Sequence, residues 1–261
     1  MDLADAIQQA RELQDHQRYD EAIQILLAAS QEHEDEDLWF EIAAFYAERG
    51  SRRPDALALA DFDEADKWAD SPVSRLGRAG ILARRGDFDA AETLVKEVLE
   101  ADPEFPTAYG ILGQVRTLQK RYGEAIEALA KALELSPRYA GAYAQMAYAL
   151  KADGKKDLAQ KTLAEGSKRC PGDEGLLVSL AHSYMEQEDF AKARRALDQA
   201  VTFNRENAEA WRLLGWIAAK DGDELRMHES LDRAAALDRD TTLAWVAQEA
   251  VKLPVLNAFV K

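Results

Sequence analysis

His16, His33, His182, His228 and the single cysteine, Cys170, are the side chains whose types most readily supply a base, a nucleophile or a metal ligand. Their spacing works against all three roles. No two histidines stand four residues apart as in an H-E-x-x-H helix, and one cysteine can neither close an internal disulfide nor build a thiolate cluster. No nucleophile is paired with a base, and no glycine-rich loop is shaped to cradle a phosphate. No catalytic residue, no cofactor and no metal is therefore expected, and His182 reads as a solvated or hydrogen-bonded imidazole. A second group is the arginine pair Arg75 and Arg78, which follows Asp61, Asp63, Glu64 and Asp66 in the chain. It could pair with those acids or with Glu41, or it could bind an anion.

What remains is charge and apolar patterning. The chain has 261 residues, a formal charge of -15 and 47% hydrophobic residues. Residues 1 to 71 hold 19 acidic against 6 basic side chains, so the excess sits in the first quarter. Such a chain is repelled by nucleic acid and anionic lipid, whereas a basic protein surface could attract it. No run of eighteen apolar residues suggests a membrane span, and the acidic, amphipathic start lacks the form of a secretory signal. A cytoplasmic location is expected.

The elements that would position any site announce themselves as a repeat. Residues 122–137 read "YGEAIEALAKALELSP", and related stretches begin at Lys156 and Phe190. Tyr109, Leu112, Gly113, Tyr122, Ala125, Leu129, Ala132 and Pro137 return 34 residues later as Tyr143, Met146, Ala147, Lys156, Ala159, Leu163, Gly166 and Pro171. Further steps of the same length reach Leu177, Ala181, Phe190, Ala193 and Leu197, then Trp211, Gly215, Met227 and Leu231.

These residues and their period resemble the tetratricopeptide repeat, a helix–turn–helix unit of 34 residues with a W-x2-L-G-x2-Y…A-x3-F…P pattern. The resemblance covers nearly the whole chain, five copies in strict phase and two looser ones before them. It implies an all-α fold, a right-handed superhelical solenoid of antiparallel helix pairs. Seven repeats would occupy residues 3–36, 36–71, 72–105, 106–139, 140–173, 174–207 and 208–241. A C-terminal capping helix and apolar tail would follow over 242–261.

Small residues at 79, 113, 147, 181 and 215 would let paired helices approach closely. Gly86, Gly154 and Gly222 would end first helices in the left-handed conformation. The second repeat is expected to turn at Gly50, with "SRRP" as an insertion before its second helix resumes at Ala58. Arg205 and Arg239, where the pattern has proline, are expected to lengthen their helices slightly. Arg75 and Arg78 stand where the family usually has large apolar residues. The final "LPVLNAFVK" is too apolar for a solvated tail, and either folds back on the last repeat or enters a neighbouring chain.

In this family the first helices line a concave groove. The resemblance implies a partner-binding lining of Leu76, Gly80, Ile111, Gln114, Thr117, Ala144, Tyr148, Lys151, Val178, His182, Met185, Arg212 and Trp216. An amphipathic helix or extended peptide of a partner protein would fit such a surface. The paired lysines and asparagines with which some members clamp a chaperone carboxylate are absent, since Ile7, Arg11 and Glu41 stand there. A protein-interaction scaffold or adaptor is the leading expectation. The alternatives are a peptide-responsive regulator or a structural protein that self-assembles through its C-terminal tail.

Overall fold

The computed structural model describes residues 2–260, and the side chains of all of these except Asp15, Asn257 and Val260. Among the described residues every regular element is helical, and the chain divides into two compact units, Met1–Leu135 and Ser136–Lys261. No helix is long and apolar enough to cross a membrane.

The first unit holds four helix pairs. They are α1 (Leu3–Asp15) with α2 (Tyr19–Ser30), α3 (Glu36–Ser51) with α4 (Asp55–Trp68), α5 (Pro72–Arg85) with α6 (Phe88–Ala101), and α7 (Pro106–Leu118) with α8 (Tyr122–Leu135). The second unit holds α9 (Ala140–Ala152) with α10 (Lys156–Arg169), α11 (Glu174–Glu186) with α12 (Phe190–Phe203), and α13 (Ala208–Asp221) with α14 (Glu224–Leu237). The helix α15 (Arg239–Glu249), a 3-10 turn at Pro254–Leu256 and the short α16 (Asn257–Val260) follow. Tight connections make the helices of each pair antiparallel neighbours. Successive pairs then stack: α5 packs on α3 and α4, α7 on α5 and α6, and α11 on α9 and α10.

The 34-residue period is written into the turns. Gly86, Gly154 and Gly222 sit at φ 88°, 80° and 75°, and Lys120 and Glu188, midway between them, take φ 63° and 59°. The period also appears at one aromatic position. Tyr109 and Tyr143 donate their hydroxyls to the carbonyls of Pro103 and Pro137 at 3.1 and 3.3 Å, and Trp211 donates its indole N–H to Arg205 at 2.9 Å. Each bond ties the start of a first helix to the link that precedes it.

Close helix approach depends on missing side chains. A Cβ on Gly113 would lie 2.5 Å from Leu129 Cγ, and one on Gly215 would lie 2.7 Å from Leu231 Cγ. Gly50 belongs to this class and not to a turn. It is buried inside α3, where a Cβ would stand 2.8 Å from the Phe62 ring, and the chain turns after Ser51 instead.

Arg205 and Arg239 do not lengthen their helices: α12 and α14 have the same 14 residues as α6, α8 and α10. The chain has already turned before each arginine. Asn204 accepts from the Glu206 amide, and Asp238 caps α15 by accepting from the Thr241 amide.

One arginine of the "SRRP" insertion, Arg53, joins Arg49 of α3 in a charge cluster. Asp61 is 3% exposed, and Arg49 and Arg53 cover it with contacts of 2.5 and 3.4 Å. The same arginines reach Asp20 of α2 at 2.5 and 3.1 Å, so the cluster joins the first two pairs. Arg78 pairs with Asp63 and Asp66 at 2.9 and 2.8 Å, and Arg75 pairs with Asp70. Both arginines therefore serve as ion-pair partners of acids near them in the chain.

The C-terminal segment folds back on its own unit. Leu256 is fully buried with Ala218, Ala219, Met227, Leu231 and Val246, and Trp245 and Phe259 pack beside them. This covers the apolar edge that a further repeat would otherwise have to cover.

Candidate functional site

In the second unit, α9, α10 and α11 enclose a pocket of about 250 Å3. Ala144, Ala147 and Ala159 leave the space, and Leu163 supplies its apolar wall. Tyr148 stands at the mouth, 65% exposed, where an aromatic ring buried against a ligand would gain most. Lys151 of α9 forms an ion pair with Glu186 of α11 at the rim. One turn back along α11, the His182 Nε2–H donates to Glu209 Oε1 of α13 at 3.0 Å. That hydrogen bond, aided by the charges of His182 and Arg212, holds the Glu209 carboxyl below the usual range against the opposing effect of its burial. Two polar contacts thus tie three successive first helices. Lys156, the first residue of α10, also lines the pocket. It is exposed, and among the described residues it enters no ion pair.

The first unit has a smaller hollow of about 160 Å3 walled by α3, α4, α5 and α7. Leu76, Gly80, Ile111 and Gln114 line it together with Arg84, which is paired with Asp55. A Cβ on Gly80 would make only ordinary contacts with Arg84, Gln114 and Ile111 at 3.7 to 3.9 Å, so the glycine widens the hollow by no more than a methyl group.

The helix-pair architecture agrees with what sequence comparison finds. One model of the tetratricopeptide repeat matches residues 76–140 and 178–241, and another matches residues 117–174, together more than half of the chain. The chain belongs to the tetratricopeptide repeat family. It is 26% identical over 169 residues to the Mus musculus protein O-mannosyl-transferase TMTC1, covering 65% of this chain and 15% of that protein. Over 243 residues it is 23% identical to the Drosophila melanogaster BBSome complex member BBS4 homolog, covering 89% of this chain and 43% of that protein. The chain therefore spans less than half the length of these curated relatives. A solved tetratricopeptide repeat protein from Parabacteroides merdae shares the fold at 17% identity, with a TM-score of 0.58 over 99% of this chain and 98% of that one.

Among the thirteen residues that the family pattern nominates, Leu76, Gly80, Ile111 and Gln114 meet in the first hollow, and Ala144, Tyr148, Lys151 and His182 meet in the second. The remaining five do not join them. Thr117 is buried because its short side chain turns back to donate to the Gly113 carbonyl at 2.7 Å. Val178 is 6% exposed in the core between the α11–α12 and α13 helices, and Met185 packs against the same cluster. Trp216 is held by Phe190, ring centroids 5.7 Å apart, and donates its indole N–H to Glu249 at 3.2 Å. Arg212 is half-buried beside Glu209. Lys156, Leu163, Ser183 and Glu186 line the pocket without having been nominated. Glu186 follows Lys151 by 35 residues, one repeat plus one position, which is the signal that could have found it. Lys156 and Leu163 belong to a second helix, which the first-helix rule does not consider.

Proposed function

We propose that this protein is an interaction scaffold that holds a short segment of a partner protein against its first-helix faces, with the α9–α11 pocket as the main grip. The observation that carries the reading is the exposed Tyr148 ring over an apolar pocket. An exposed aromatic ring at the edge of a partly apolar cavity is a surface that a partner's apolar side chain can cover with gain. The name of the Drosophila relative, a complex member, suits the same kind of role. We read the action as binding without catalysis, because Lys151, Glu186, His182 and Glu209 are committed to joining helices. The match to the transferase spans only 15% of that protein and does not weigh against this. The acidic balance disfavours nucleic acid as the partner, and a free Cys170 thiol suits a reducing, cytoplasmic setting. Self-association through the tail would first require Leu256 to leave its buried seat.

Tyr148→Glu is the decisive variant. The intact chain and the variants Tyr148→Glu, Ile111→Glu and Leu225→Glu are used as bait in an extract of the native host, with helicity checked by circular dichroism. Leu225 is 71% exposed on a second helix and serves as the control. Proteins retained by the intact chain and the control but lost with Tyr148→Glu support the reading. Identical captures by all four baits overturn it.

A further inference from the structure

The α9–α11 pocket also carries information about what it prefers. At about 250 Å3 it lies below the ~300–1,000 Å3 of small-molecule sites, so it suits one side chain of a peptide. Ala144, Ala147, Ala159, Leu163 and the Tyr148 ring give it an apolar part that suits an aromatic or large aliphatic side chain, while Ser179, Ser183 and Gln187 add neutral polar groups.

Its charge is not neutral. Lys151 is cancelled by Glu186, and His182 is engaged with Glu209, which leaves the Lys156 ammonium at the rim without a counter-charge. The charge balance across α9 to α11 is even, but α10 itself is basic, with four lysines and arginines against two acids in a protein whose net charge is -15. An uncancelled ammonium at the edge of an apolar cavity attracts a carboxylate placed beside an apolar group.

Resting on the scaffold reading above, we propose that this pocket selects an acidic peptide segment of a partner protein, seating one large apolar side chain and pairing an adjacent aspartate or glutamate with Lys156.

The test uses the full chain, labelled with nitrogen-15, and three capped tetrapeptides: acetyl-Gly-Phe-Glu-Gly-amide, the same peptide with Lys for Glu, and the same peptide with Ala for Phe. The Phe-Glu peptide is expected to shift amide signals of α9, α10 and α11 and to bind about fivefold more tightly than the Phe-Lys peptide at low salt, as an exposed charge contact allows. The Ala-Glu peptide should bind more weakly than either. Lys156→Glu should reverse the order of the first two peptides. Lys161→Glu, the same charge change on the same helix outside the pocket, should leave it unaltered. Equal affinities for the Phe-Glu and Phe-Lys peptides, shifts confined to other helices, or an order unaffected by Lys156→Glu would each overturn the proposal. Loss of host partners with Tyr148→Glu alongside unchanged charge preference in Lys156→Glu would sink the acidic preference and leave the scaffold reading standing.

Discussion

Substituting Gly113 by alanine tests the close packing of a first helix on its partner. A Cβ on Gly113 would lie 2.5 Å from Leu129 Cγ and 2.9 and 3.0 Å from its two methyl carbons. Carbon atoms in contact prefer about 3.5–4.0 Å, so roughly 1 Å of overlap must be relieved. Leu129 is fully buried, and its Cγ is the branching carbon, so rotating a chain end does not remove the clash. Either α7 moves away from α8 or Leu129 leaves its rotamer, at about 1–3 kcal/mol. Alanine in place of glycine in a helix returns about 0.5–1 kcal/mol. The net expectation is a loss of about 1–2 kcal/mol. Gly123 on α8 supplies the control, since a Cβ there meets nothing within 4 Å. Gly123→Ala should therefore gain up to about 1 kcal/mol. Urea unfolding followed by circular dichroism measures both, with hydrogen exchange locating the effect, because a repeat array need not unfold in one step. Gly113→Ala combined with Leu129→Ala should recover part of the loss as a favourable coupling. A Gly113→Ala midpoint that rises with that of Gly123→Ala would refute the close approach.

The left-handed turns and the His182–Glu209 contact give two further expectations. Lys120→Gly and Glu188→Gly remove the strain of a side chain at positive φ, and each should stabilise by up to about 1 kcal/mol in the same urea assay, while Gly154→Ala should destabilise by about 1–2 kcal/mol. Glu209 has its carboxyl held low in the folded chain, so its ionised form contributes stability above the unfolded value near pH 4.3, and that contribution is lost as pH falls through the lower folded value. His182→Ala should shift the NMR-detected Glu209 titration upward and reduce stability at neutral pH more than at pH 3; an unchanged titration would mean that the contact does not form in solution.

The helical repeat was legible because each pair must cover its neighbour, which forces apolar and small residues into one phase. Turns at glycine were legible for the same reason that glycine is used there. Those at Lys120 and Glu188 were not, since neither residue type marks a left-handed backbone and only their place 34 residues from a glycine betrays them. Gly50 misled because a glycine near an expected helix end reads as a stop, whereas here it makes room for the Phe62 ring. The Asp61 cluster was out of reach: Asp20 lies about thirty residues from Arg49 and Arg53, and no local pattern links charges across helix pairs.

The site residues separate by position within the repeat, and side-chain size explains how. Gly80, Gln114, Tyr148, His182 and Trp216 are spaced by 34 and share the ninth position of the first helix. This is the position that most often reaches a hollow: Gly80 and Gln114 line one, Tyr148 and His182 the other. Trp216 escapes because Phe190 and Glu249 hold it, so a partner has less of it to contact. At the twelfth position the direction is shared but reach decides. Lys151 is long enough to cross to Glu186, while Thr117 at the same place folds onto its own helix and is lost to the core. A repeat pattern gives the direction in which a side chain leaves its helix. Whether it arrives at a surface depends on its length and on the neighbour opposite, which the period does not contain. What distinguishes one copy from the next therefore lies in the residues that depart from the period, and Lys156, standing where Tyr122 and Phe190 stand in the adjacent copies, is such a departure.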